Sequence, residues 1–143
     1  NTRLRISFSL TTDLEVVRKL YEPYCAPIPE RIRVIGTLAE AGLRVHATLA
    51  PLLPCDPEGL VELALGATRE NLIGDPFHTR RSKRHGATTR PAGEVISAKH
   101  GWSEWHDPPF QSAIIDRMAR VAEAAGRRFV VGPAGFSELA RTE

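Results

Sequence analysis

Apolar positions along the first half of the chain switch between two periods, and the switch points outline successive strand–helix units. Leu4, Ile6, Phe8 and Leu10 alternate with Arg5, Ser7 and Ser9, the period of a strand with one strongly apolar face. Thr12 or Asp13 is placed to cap a helix on which Leu14, Val17, Leu20, Tyr21 and Tyr24 recur at helical spacing. Pro23, Pro27 and Pro29 interrupt the pattern, and Pro29 opens a second helix over about residues 30–41. Ile32, Ile35, Leu38 and Ala39 form the buried stripe of that helix, and Gly42 is its left-handed stop. Leu43 to Ala50 is apolar with Arg44 and His46 on the alternate face, a second strand ended by Pro51 and Pro54.

Asp56 then caps a short helix near residues 58–67, and Asn71 to Gly74 reads as a third strand running into Asp75, Pro76 and Phe77. From 78 to 107 the periodicity is lost. An unpatterned stretch of that length inside a compact domain is commonly functional, or else misread. Order returns on a helix from Pro109 to Gly126, with Ile114, Ile115, Met118, Val121, Ala122 and Ala125 on one face. Arg127 to Gly132 reads as a final short strand, followed by a polar tail. Strand–helix alternation with short connections predicts an α/β fold of parallel βα units. The chain divides into βα units over 1–77, an irregular basic region over 78–107, and a C-terminal helix and strand of the same domain over 108–143.

Composition adds bounds rather than identity. At 143 residues, 42% apolar and 25% charged, the chain fits one domain with a real core. No apolar run approaches the roughly 18 to 20 residues of a membrane helix, and no charged-then-apolar leader precedes the first strand. A soluble, cytoplasmic protein without a membrane partner is expected. Cys25 and Cys55 form neither a disulfide framework nor a zinc knuckle and read as free thiols. A net charge of +2 permits an anionic partner without requiring one. The start at Asn1, almost directly inside a strand, suggests a section of a longer protein.

Parallel strands all end on one rim, so Ser9 to Thr12, Pro51 to Asp56 and Asp75 to His78 are expected to share a site. There the hydroxyls of Ser9, Thr11 and Thr12 can hydrogen-bond a polar ligand, and the Arg31 guanidinium can grip a carboxylate. The competing reading makes Thr11 and Thr12 helix caps and Arg31 a solvated helix residue. The run from His78 to His85, with Arg80, Arg81, Lys83 and Arg84 and then Arg90, can track a phosphate backbone or remain a solvated charge run. It contains no aromatic on which a base could stack. Trp102, Trp105 and Phe110 downstream are better suited to packing under it. The five histidines show no HxxxH or HExxH spacing, so no metal site is indicated.

Taken in order, Ser7-Phe-Ser-Leu-Thr-Thr-Asp13, Glu22-Pro23, Ala26-Pro27, Arg31, Leu38-Ala-Glu-Ala-Gly-Leu-Arg-Val45 and Pro51-Leu-Leu-Pro54 carry a resemblance over about residues 3–77. The series resembles the later βα units of radical S-adenosylmethionine proteins of the spore photoproduct lyase-like (DNA repair photolyase-like) group. The resemblance implies the C-terminal half of a partial TIM-type barrel, with S-adenosylmethionine across its rim and a 4Fe-4S cluster near the first strand of the intact enzyme. It also implies lyase-like radical chemistry on nucleic acid or a related substrate. By the same resemblance Ser9, Thr11, Thr12 and Pro51 border the cofactor and Arg31 lies near it.

The family's CxxxCxxC cluster motif is absent, and two thiolates are one too few to replace it. Neither cofactor is therefore expected on this chain alone, which on its own is expected to be inactive. A half barrel would expose strand edges and an apolar inner face, so self-association or contact with the missing N-terminal half is expected. The alternative is a non-catalytic α/β module that binds nucleotide or nucleic acid through the basic loop 78–90.

Overall fold

A computed structural model describes residues 4–79 and 91–141. The elements run β1 (Arg5–Ser9), α1 (Glu15–Tyr21), α2 (Ile28–Glu40), β2 (Arg44–Leu49), α3 (Pro57–Ala67), β3 (Leu72–Gly74) and α4 (Pro91–His100). A 3-10 turn at Ser103–His106 then leads to α5 (Pro108–Ala124), β4 (Phe129–Val131) and α6 (Pro133–Ala140). The four strands form one all-parallel sheet in the order β1-β2-β3-β4. Each crossover adds the next strand on the same side, the winding that gathers the crossover helices on one face.

The register sets what each face carries. Ile6 lies opposite Val45, Phe8 opposite Ala47, Leu49 opposite Gly74 and Leu72 opposite Phe129. These residues meet Ile35, Leu60, Val61, Ala64, Ile114, Met118 and Ala122 from α2, α3 and α5 in the main core. Gly74 is part of that fit, because a Cβ there would stand 2.5 Å from the Phe129 ring. The alternate positions make a second face that is polar over β1 and β2, where Ser7 and Thr48 share a 2.5 Å hydrogen bond between hydroxyls. Over β3 and β4 that face is apolar, with Ile73 and Val130, and α6 lies on it. Gly135 permits the contact: a Cβ would sit 2.6 Å from the Val130 carbonyl oxygen. Arg5 and Arg128 fasten the helix at Glu138, through its backbone carbonyl and its carboxylate respectively.

The α/β class and the parallel units are those the periodicity predicts. The sheet described is open, and the expectation of an exposed apolar inner face is corrected: one half of that face is polar and the other half is covered. Two helices were missed. α4 falls inside the stretch expected to be irregular because its buried positions are Gly93 and Ser97, which leave no apolar stripe to detect. α6 falls in the expected polar tail, and its one buried residue is Gly135.

The expected caps are also revised. The Thr12 hydroxyl accepts from the Leu14 N–H at 3.1 Å and donates to the Pro54 carbonyl at 2.7 Å. The Asp13 carboxylate accepts from the Asp56 N–H at 2.9 Å. Both residues thus stitch the β1 exit to the β2 exit, while Asp56 makes no side-chain cap bond to α3. α1 stops at Tyr21, so Tyr24 lies beyond it and is fully exposed rather than on a buried stripe.

Candidate functional site

All four strands point the same way, and the exits of β2, β3 and β4 border one cleft of about 860 Å³. The end of α1 and one side of α4 complete its walls. Pro51, Phe77, Ile96 and Phe136 supply apolar surface, and Tyr21, Glu22, Asp75 and His78 supply the polar groups. Among the described lining residues there is no lysine or arginine. Such a wall favours a neutral or cationic ligand over a phosphate.

Asp75 is held by its own backbone: its N–H donates to Leu49 O at 3.2 Å, and its carbonyl accepts from the Leu52 N–H at 2.9 Å. Its Oδ1 lies 3.0 Å from His78 Nε2, and each side chain is 20% exposed. A carboxylate so placed fixes the orientation of an imidazole and leaves the second ring nitrogen for other work. His78 Nδ1 has no partner among the described residues. The pair can therefore bind a polar group or exchange a proton with one.

Of the residues expected at the cofactor rim, Pro51 lines the cleft. Thr11 and Arg31 are buried behind it, where Glu22 Oε2 accepts from Thr11 Oγ1 at 2.9 Å and from Arg31 Nη2 at 2.7 Å. Arg31 Nε also donates to Ala26 O at 2.9 Å. The carboxylate that Arg31 grips is thus the protein's own, and Arg31 is no solvated helix residue. Thr12 is buried in the loop stitching, and Ser9 is exposed on the second face of the sheet, so neither lines the cleft. Arg80, Arg81, Lys83 and Arg84 lie outside the described residues.

Trp105 is buried with its ring edge-on to Phe110 at 5.2 Å, and Trp102 packs against Tyr21 and His100, so these aromatics are packing residues. Cys25 is exposed. Burial, and then the charges of Asp13 and Asp56, push the Cys55 thiol far up, so it stays protonated and is a poor metal ligand. No cluster of three or more histidine, cysteine, aspartate or glutamate side chains that could hold a metal occurs among the described residues. The donor set of this chain does not fit a 4Fe-4S cluster, which takes cysteine thiolates.

Asp75 and His78 are legible in the sequence as part of a strand exit, with the acid three residues from the histidine, and their hydrogen bond is a finding of the structure. A second polar group carries no such signal: Tyr21 on α1, Ser97 on α4 and His106 on the 3-10 turn, joined through the Ser97 hydroxyl. No spacing joins residues so far apart along the chain. No family model, curated protein or solved structure matches this chain. No helix among the described residues is long and apolar enough to cross a membrane.

Proposed function

We propose that the strand-exit cleft binds S-adenosylmethionine, and that the chain forms later βα units of a radical S-adenosylmethionine-type partial barrel. The observation that carries this reading is the convergence of the exits of three adjacent parallel strands, β2, β3 and β4, on an apolar cleft whose described charged residues are acidic. Apolar and aromatic walls suit an adenosyl group, and acidic groups suit a sulfonium and an ammonium. β1, at the sheet edge and unpaired on one side among the described residues, is where further strands of such a barrel would add.

The cluster chemistry of the family lies beyond the residues of this chain, so the role proposed here is binding. Thr11 and Arg31 fix Glu22 in the wall, Asp75 orients His78, and Phe77 and Phe136 supply apolar surface. The alternative, nucleotide or nucleic-acid binding through the basic loop 78–90, rests on Arg80, Arg81, Lys83 and Arg84, which lie outside the described residues.

Titration of the isotope-labelled chain with S-adenosylmethionine and S-adenosylhomocysteine, followed by amide NMR shifts, tests the reading. Shifts are expected at Ala50, Asp75, His78 and Ile96. Affinity should be about millimolar, too weak for the cofactor to stay bound to this chain alone, because no cluster is present to chelate the ligand, and roughly tenfold weaker for the uncharged thioether. Absence of shifts, or shifts confined to Ser7 and Thr48 on the second face, overturns it.

A further inference from the structure

Behind the cleft wall, the fully buried Ser97 hydroxyl touches three groups. Tyr21 Oη lies 2.7 Å away, His106 Nε2 lies 2.7 Å away, and the Gly93 carbonyl oxygen, one turn back on α4, lies 3.0 Å away. His106 Nδ1 is 3.3 Å from the Phe77 carbonyl oxygen, which also accepts from Gln111 Nε2 at 3.1 Å. A carbonyl can only accept, so Nδ1 carries a proton whatever the charge of the ring. The imidazole is held in place by its face against the Phe77 ring, with centroids 4.3 Å apart.

The remaining protons can then be counted. With His106 neutral, Nε2 is an acceptor, Ser97 O–H donates to it, and Tyr21 O–H donates to Ser97. With His106 charged, Nε2–H donates to Ser97, whose hydroxyl rotates to the Gly93 carbonyl, and Tyr21 still donates to Ser97. Both protonation states satisfy every donor, and the only motion needed is one buried hydroxyl turning between two acceptors. The two ends of the chain open on different spaces. Tyr21 and Gly93 line the cleft, and His106 lines a second cavity of about 420 Å³ with Thr79, Ser103, Glu94 and Asp107. Among the described residues, Glu94 on α4 and Asp107 at the start of α5 are the charged groups lining that cavity with the imidazole.

We propose that Tyr21, Ser97 and His106 form a proton relay that runs from the second cavity to the cleft and delivers a proton to an anionic oxygen or carbon developing on the bound ligand. The proposal rests on the cleft being the ligand site. In the step, Tyr21 O–H turns to the ligand atom and Ser97 O–H turns from the Gly93 carbonyl to the Tyr21 oxygen; Tyr21 O–H then breaks as the ligand atom takes its proton, Ser97 passes its hydroxyl proton to the Tyr21 oxygen, and His106 Nε2–H passes its proton to Ser97. The net change is one proton moved from the imidazolium to the ligand, and water in the second cavity restores it. Burial raises the Tyr21 hydroxyl above its ordinary range, which disfavours a free phenolate and favours the transfers moving together. Tyr21 is the catalytic residue in this scheme, and Ser97 and His106 act through it.

Exchange of the Tyr21 hydroxyl proton with solvent, read from the isotope splitting of its ring carbon in mixed light and heavy water, tests the relay. Ser97→Ala and His106→Phe should slow that exchange by about tenfold or more, since each removes a proton carrier. His106→Phe keeps the ring stack on Phe77, and circular dichroism verifies the fold of both variants. Unchanged exchange in folded Ser97→Ala overturns the relay. In the unaltered chain, ring-nitrogen shifts should show neutral His106 as the Nδ1–H tautomer, and the Nε2–H tautomer overturns the relay without any variant. Slowed exchange in a chain that does not bind S-adenosylmethionine leaves the relay standing and removes only the ligand class.

Discussion

Arg31 and Glu22 form an ion pair at 2.7 Å in which the arginine side chain is 6% exposed and the glutamate 18%. The pair joins α2 to the segment after α1 and carries the cleft wall, with Thr11 as a third member. Removing one partner of a buried pair leaves a charge without compensation, and that costs more than the pair contributes. Glu22→Ala should lower unfolding free energy by about 3 kcal/mol in urea titrations. The double variant Glu22→Leu with Arg31→Met should recover most of the loss.

The Asp13 carboxyl is raised above 3.8, first by burial, with the Asp56 charge adding and the hydrogen bond from the Asp56 N–H opposing. Between its unfolded value and this raised folded value the native state binds more protons, so its contribution to stability falls as pH rises through that window. Asp13→Asn keeps an oxygen for the Asp56 N–H and removes the charge. Thermal melts should show the variant more stable at neutral pH, with the difference vanishing below about pH 3, where the carboxyl is protonated in both states.

Two helical glycines should respond with opposite sign. A Cβ at Gly36 in α2 meets nothing within 4 Å, so Gly36→Ala should stabilise by about 0.5–1 kcal/mol through helix propensity. A Cβ at Gly135 meets backbone at 2.6 Å, so Gly135→Ala should destabilise by about 1–3 kcal/mol and loosen α6 from the sheet. Melting temperatures measured side by side give both signs, and protection of the β4 amides reports the loosening.

Thiol chemistry should separate the two cysteines. Alkylation of the native chain should label the exposed Cys25 and spare Cys55, whose burial beside Asp13 and Asp56 disfavours the thiolate. Cys55 should label only on unfolding, as read by peptide mass spectrometry.

The local pattern of residues dictates the series of strands and helices whose burial is apolar and periodic. Ile6, Phe8 and Val45 alternate and Ile35 repeats helically because each packs against hydrocarbon, and that requirement is written locally. The β2 and β3 exits at the cleft, Pro51 among them, followed from the same pattern, whereas the β1 exit expected beside them does not line it. Tertiary structure decided the rest. α4 and α6 are seated by Gly93, Ser97 and Gly135, where the fit depends on small size and leaves no hydrophobic trace. The roles of Thr11 and Arg31 were decided by Glu22, and that of Ser97 by Tyr21 and His106. A hydrogen bond is made by geometry between groups distant in the chain, whereas hydrophobic burial leaves its period in the segment that is buried.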